Sequence, residues 1–296
     1  MDGSSAKPIL VGIDGSFSAE RAARWAAREA QAQQVPLQLL HAYEFAADYT
    51  PESEQGSHGV FLAYGRDSLQ QAAEQARQAA PGVEVSTELV TAPCVELLAT
   101  RSAGASLLVV GSRGLGGVSG LLLGSVAVGL VSHAHCPVVI VRGEENDPAA
   151  ADPNAPVVVG IDGSPMSSAA LAYAYEYAAT HAVPLVAVHA WAVGSFDPTI
   201  APLVDIEEMR QDAERLAAEN LAGWREKYPD VEVRRVVVPD RPARALLEES
   251  KQAGLLVVGA RGRGGMTGLL LGSTSQALIH RAPCPVAVVR PQTDHA

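Results

Sequence analysis

Shifted by 148 positions, the chain meets itself. Asp14 falls on Asp162, Pro36 on Pro184, His41 on His189, Gly111 on Gly259, Gly124 on Gly272 and Cys136 on Cys284. Residues 107–125 and 255–273 agree at 15 of 19 positions. The shift becomes 149 where Leu97-Leu98 answers Leu246-Leu247, a slip cancelled later, as a change at a loop or helix end would be. A unit of roughly 145 residues is domain-sized and far longer than the ~20–50 residues of a solenoid repeat. The fold must therefore be one that each half completes alone, in domains spanning 1–145 and 153–296. Between them, RGEENDPAAADPNAP (Arg142 to Pro156) is acidic and Ala/Pro-rich without apolar periodicity, which reads as a linker.

Within each half, strand-like and helix-like stretches alternate. PILVGID is a short β-branched run, and FSAERAARWAAREAQAQQ is an amphipathic helix that Ser16 or Ser18 could cap. LQLLHAY is a second strand, residues 62–79 a helix, and VEVSTELV a strand with one wetter face. VELLATRSA (helix), SLLVVG (strand), SVAVGLVSHA (helix) and PVVIVR (strand) complete the half. Continuous apolar strands alternating with helices predict an α/β fold: a parallel sheet covered on both faces, with five strands and four helices per half.

Composition narrows the function. The net charge is −11. Residues 1–148 carry 9 Lys+Arg against 16 Asp+Glu, and the remainder 13 against 17. Neither half has the basic surface that nucleic-acid phosphates require. No apolar stretch is long enough to span a membrane, and the N-terminus has no signal pattern. Cys94, Cys136 and Cys284 are too scattered for a disulfide framework or a zinc site. A reducing, cytoplasmic setting is the expectation.

The stretch GSRGLGGVSGLLLGS (Gly111 to Ser125) holds 6 glycines in 15 residues and returns as GARGRGGMTGLLLGS (Gly259 to Ser273). It follows a strand and precedes a helix, so it lies at the carboxyl edge of the sheet, where parallel sheets bind ligands. Glycine lets the backbone approach a ligand closely. Ser125 and Ser273 open helices whose unpaired N–H groups receive anions, and Arg113 and Arg261 add forked donors. The stretch predicts a phosphate site; tight helix–strand packing is the plainer alternative. It is not a P-loop, because no lysine follows the glycines. Nor is it the dinucleotide fingerprint, which belongs after the first strand. Asp14 and Asp162 end the first strand of each half and face the same edge. Each could accept from ribose hydroxyls, help hold Mg²⁺, or cap the following turn. His41 and His189 end the second strand, where packing or a backbone hydrogen bond is expected. His133 and His135 lie near a helix end and suit its dipole. No residue is assigned a catalytic or metal-binding role: no nucleophile elbow with its partners in place, no paired carboxylates at a defined catalytic spacing and no His-x-x-x-His is readable.

With strand, Asp, Gly-rich stretch and repeat together, the chain resembles the tandem universal stress proteins of the ATP-binding kind. The family motif G-x2-G-x9-G-[ST] reads Gly111, Gly114, Gly124, Ser125 and again Gly259, Gly262, Gly272, Ser273. The VGIDGS start of each half and the HCPVVIV-like end match too. The resemblance implies two Rossmann-like (adenine nucleotide alpha hydrolase-like) domains, each a five-stranded parallel sheet of order 3-2-1-4-5. It implies one ATP per domain, with Mg²⁺ as an optional companion. Triphosphate would lie on the glycine motif, ribose near Asp14 or Asp162, and adenine near Ala42 or Ala190. The implied site of the first domain comprises Gly12, Asp14, Ala42, Gly111, Arg113, Gly114, Gly116, Gly117, Gly124, Ser125 and Val126. That of the second comprises Gly160, Asp162, Ala190, Gly259, Arg261, Gly262, Arg263, Gly264, Gly265, Gly272, Ser273, Thr274 and Ser275. The last strands, PVVIV and PVAVV, would pair across a pseudo-twofold between the domains or within a homodimer. Arg263 stands where the first loop has Leu115, which predicts tighter nucleotide binding in the second domain.

The implied role is nucleotide-dependent regulation of stress response, growth or survival. A weak ATP-hydrolysing or ATP-dependent transfer enzyme is the alternative, and an interaction protein that binds no nucleotide is the third.

Overall fold

A computed structural model describes residues 6–44, 51–115, 123–142, 152, 154–191, 205–263 and 271–291, with residues 51–58 described in backbone only. The chain divides into two compact units, Met1–Arg142 and Gly143–Ala296.

The first unit runs β1 (Ile9–Gly12), α1 (Phe17–Gln33), β2 (Leu37–Tyr43), α2 (Pro51–Ala79), β3 (Val85–Thr91), α3 (Cys94–Ser102), β4 (Leu107–Gly111), α4 (Ser125–His133) and β5 (Val138–Val141). Its strands are parallel, in the order β3-β2-β1-β4-β5. The apolar runs explain this. Ile9, Leu10 and Val11 are at most 1% exposed because both faces of β1 are covered. Helices α1 and α2 pack side by side, as do α3 and α4. Right-handed crossovers that reverse direction after β3 put the two pairs on opposite faces. β1 therefore sits where the strand order reverses, and the carboxyl ends of β1 and β4 part to leave a crevice.

The second unit repeats this with β6 (Val157–Gly160), α5 (Pro165–His181), β7 (Leu185–Ala190), α6 (Ile206–Leu221), α7 (Trp224–Lys227), β8 (Val233–Val238), α8 (Pro242–Glu249), β9 (Leu255–Gly259), α9 (Ser273–Arg281) and β10 (Val286–Val289). Its order, β8-β7-β6-β9-β10, is the same 3-2-1-4-5. No helix among the described residues is long and apolar enough to cross a membrane.

Three elements depart from the sequence reading. Helix α2 starts at Pro51, well before the expected position 62. Proline suits a first helical position, but Gly56, Gly59 and Gly65 weaken the helical signal that follows it. Helix α7 adds a fifth helix to the second unit. There Trp224 and Tyr228 stack on the buried Tyr175 of α5, with ring centroids 5.0 and 5.6 Å away. A 3₁₀ turn, Ser250–Gln252, follows α8.

Candidate functional site

The site begins at Asp14, two residues past β1. Its Oδ1 accepts from Ser16 N at 3.0 Å, closing a tight turn through Gly15, whose φ of +85° suits glycine. Its Oδ2 accepts from Leu115 N, also at 3.0 Å, and so ties the root of the Gly-rich loop to the end of β1. The second unit repeats the device. Asp162 Oδ1 accepts from Ser164 N at 2.9 Å and Oδ2 from Arg263 N at 3.0 Å. Both readings of these carboxylates are compatible, because an oxygen that accepts one hydrogen bond retains a second lone pair. Burial pushes the Asp162 carboxyl up, but hydrogen bonds from Ser164, Arg263 N and Ser167 outweigh it. The group is held below its ordinary value and stays ionised. Ser16 and Ser164 cap α1 and α5, accepting from Ala19 N and Ser167 N at 3.2 Å each.

Much of the room the motif glycines leave is taken by the protein itself. A Cβ on Gly111 would lie 2.7 Å from the carbonyl carbon of Ser18, and one on Gly259 would lie 2.9 Å from that of Met166. The first glycine of each motif therefore admits the opening turn of α1 or α5, which is the packing alternative. The second admits the carboxylate: a Cβ on Gly114 would fall on Asp14 Oδ2, and one on Gly262 2.5 Å from Asp162 Oδ2. The third, Gly124 or Gly272, meets the chain only at ordinary contact or slightly closer and serves as N-cap of α4 or α9. Gly124 N donates to Ser112 O at 2.9 Å and Gly272 N to Ala260 O at 2.8 Å, which brings each helix start back to the strand end. A glycine cap has no side chain to satisfy the first turn. The N–H groups of Ser125, Val126 and Ala127, and of Ser273, Thr274 and Ser275, thus form an open anion-receiving end. The Ser275 hydroxyl is already committed to Gly259 O at 2.7 Å, so that residue offers its backbone.

These groups line one cleft in each unit. Gly12, Asp14, Ala42, Gly111, Arg113, Gly114, Gly124, Ser125 and Val126 surround a cavity of about 590 Å³ in the first. Gly160, Asp162, Ala190, Gly259, Arg261, Gly262, Arg263, Gly272, Ser273, Thr274 and Ser275 surround one of about 440 Å³ in the second. Gly116, Gly117, Gly264 and Gly265 lie outside the described residues.

Sequence reasoning missed the apolar wall. Ile13, Val110 and Leu98 line the first cleft, and Ile161, Val258 and Leu246 the second. Leu98 and Leu246 come from α3 and α8, and a Cβ on Gly12 or Gly160 would stand 3.0 Å from their Cδ1 atoms. The sequence paired the doublets Leu97-Leu98 and Leu246-Leu247 at a shift of 149, but the structure sets Leu98 against Gly12 as Leu246 against Gly160, at the common shift of 148, and that contact is set by chain crossing. Cys94 lines the first cleft and Pro242 the second. Burial, and then the Asp14 charge, push the Cys94 thiol up to about 11, so it stays protonated. Also missed were Arg142 and Arg290, which follow β5 and β10. Burial, and then the charges of Arg113 and Arg261 respectively, hold their guanidinium groups below the ordinary value. Arg142 and Arg290 thus lie near enough to Arg113 and Arg261 to be repelled by them, without lining the clefts themselves. His41 is buried, and His189 Nδ1 lies 2.8 Å from Ile161 O, so both are held in the packing behind the cleft. His133 Nδ1 lies 2.8 Å from Gly129 O at the end of α4.

Comparison with known proteins accords with this arrangement. The profile of the universal stress protein family matches residues 5–142 and 154–290. A universal stress protein of Mycobacterium tuberculosis is 43% identical over 297 residues, covering 97% of this chain and 98% of that one. One from Mycolicibacterium smegmatis is 41% identical over 291 residues, covering 96% and 97%. The crystal structure of a universal stress protein from Archaeoglobus fulgidus shares the fold, with a TM-score of 0.68 at 22% identity over 97% of this chain and 99% of that one. The chain carries the family's domain twice and belongs to the universal stress protein family.

Proposed function

We propose that each of the two domains, 1–145 and 153–296, binds one ATP, and that occupancy of the two clefts regulates the protein's behaviour under stress. One observation carries the reading. In both units an uncapped helix start, an arginine, a carboxylate and an apolar wall face a single cleft at the point where the strand order reverses. The donor set suits the ligand. Backbone N–H groups of α4 or α9 and the guanidinium of Arg113 or Arg261 are fitted to phosphate oxygens. Asp14 or Asp162 is fitted to ribose hydroxyls, and the apolar part of the cleft, which Ala42 or Ala190 also lines, to the flat face of the adenine. Among the described residues no group of three or more His, Cys, Asp or Glu could hold a metal ion. Mg²⁺ would therefore depend on one carboxylate and on the ligand's own phosphates.

Regulation is favoured over turnover because both oxygens of each Asp already accept backbone N–H bonds. A group so held is a weak candidate for a general base. The test is calorimetric titration of the whole chain with ATP, followed by a magnesium-dependent turnover assay. The reading expects two molecules bound per chain and phosphate release near background. Absence of binding would refute it, and turnover abolished by Asp14→Ala and Asp162→Ala would favour the enzyme.

A further inference from the structure

The two clefts share a backbone frame and differ in what stands over it. At the first, the loop presents Leu115, 62% exposed. Tyr64 of α2 lies against Gly15, its hydroxyl donating to Asp14 O at 3.2 Å. At the second, Arg263 replaces Leu115, and its guanidinium lies against Gly163, so that a Cβ there would fall on Nη2. The same main-chain bond, from Leu115 N or Arg263 N to the aspartate, holds both residues. Arg263 lines its cleft together with Arg261 and the start of α9. Arg290 feels the charge of Arg261 as Arg142 feels that of Arg113. The copies thus match in these two arginines, and Arg263 is one more in the second.

We infer that the two sites read phosphate charge differently: the second, through Arg263, selects the more highly phosphorylated adenine nucleotides, and the first discriminates less. The inference rests on the nucleotide-binding reading above. An added guanidinium strengthens binding only where the ligand has charge left to meet it, so it favours a triphosphate over a monophosphate. Leu115 offers no such gain, and the Tyr64 hydroxyl is committed to a carbonyl. A cell's adenylate pool would then occupy the two clefts to different extents as ATP is depleted.

The experiment titrates the whole chain with ATP and with AMP, alongside the variants Arg263→Leu and Leu115→Arg. Both substitutions fall on exposed residues, and thermal unfolding without nucleotide checks that each variant folds. The parent chain should show two classes of ATP site and nearly equivalent AMP sites. Arg263→Leu should weaken the tighter ATP site about tenfold and AMP by less than about threefold, the scale of one charge-assisted hydrogen bond. Leu115→Arg should tighten the weaker ATP site. A single class of ATP site left unchanged by Arg263→Leu would overturn the inference while leaving nucleotide binding standing. So would equal weakening of ATP and AMP. Failure of both nucleotides to bind would overturn the nucleotide reading itself.

Discussion

At the scale of single residues, the aspartates carry the most weight. Each closes its own turn and tethers a loop 101 residues away. Gly114 is glycine because that tether passes where its side chain would be. In Gly114→Ala the carboxylate must swing off Leu115 N. The expected result is about 1 kcal/mol less folding stability in urea and about tenfold weaker ATP binding in the first unit, by titration. Asp162 makes a pH prediction with a definite sign. Its folded pKa lies below the ordinary 3.8. Above 3.8 both states are ionised and the full stabilisation is present. As pH falls, the unfolded carboxyl takes up its proton first, so the stabilisation fades and is gone below the folded value. Asp162→Asn should flatten this acid limb, measured by urea unfolding between neutral pH and pH 3; an unchanged slope would show that Asp162 contributes nothing to it.

Among the elements, the helices that follow the first strands end alike. Gln34 after α1 and Ala182 after α5 have φ of 57° and 52°, left-handed values that cost a non-glycine residue roughly 1 kcal/mol. Ala182→Gly should therefore raise stability by about 0.5–1 kcal/mol, allowing for glycine's extra unfolded-state entropy, as a shift in urea midpoint. The strands were legible in the sequence because burial on both faces leaves an unbroken apolar run, and β2 falls on LQLLHAY as read. The start of α2 was hidden by its glycines, and α7 by the nature of its support. Trp224 and Tyr228 are ordered by Tyr175, about fifty residues earlier, and no local pattern reports such a partner. The site divides in the same way. Asp14, Gly111 and Ser125 are polar or small residues at strand and helix ends, and they stand out. Leu98 looks like any core leucine until topology carries it to Gly12.

For the whole molecule, charge sets the kinetics. A chain of net charge −11 repels a polyanionic ligand at long range, whereas the arginines of each cleft attract it at short range. Added salt screens the first effect over several ångströms and the second less completely. Association of ATP should therefore quicken as NaCl is raised from low to physiological strength, and dissociation should quicken too. Stopped-flow mixing checks this; association that slows with salt would mean that local attraction governs the approach. The duplication gives this behaviour a further meaning. The fifth residue of each loop is fastened to the aspartate through its backbone nitrogen, and a backbone N–H is common to every amino acid except proline. Substitution there leaves the fastening intact, so one copy of the gene segment could acquire a new preference while its twin kept the old.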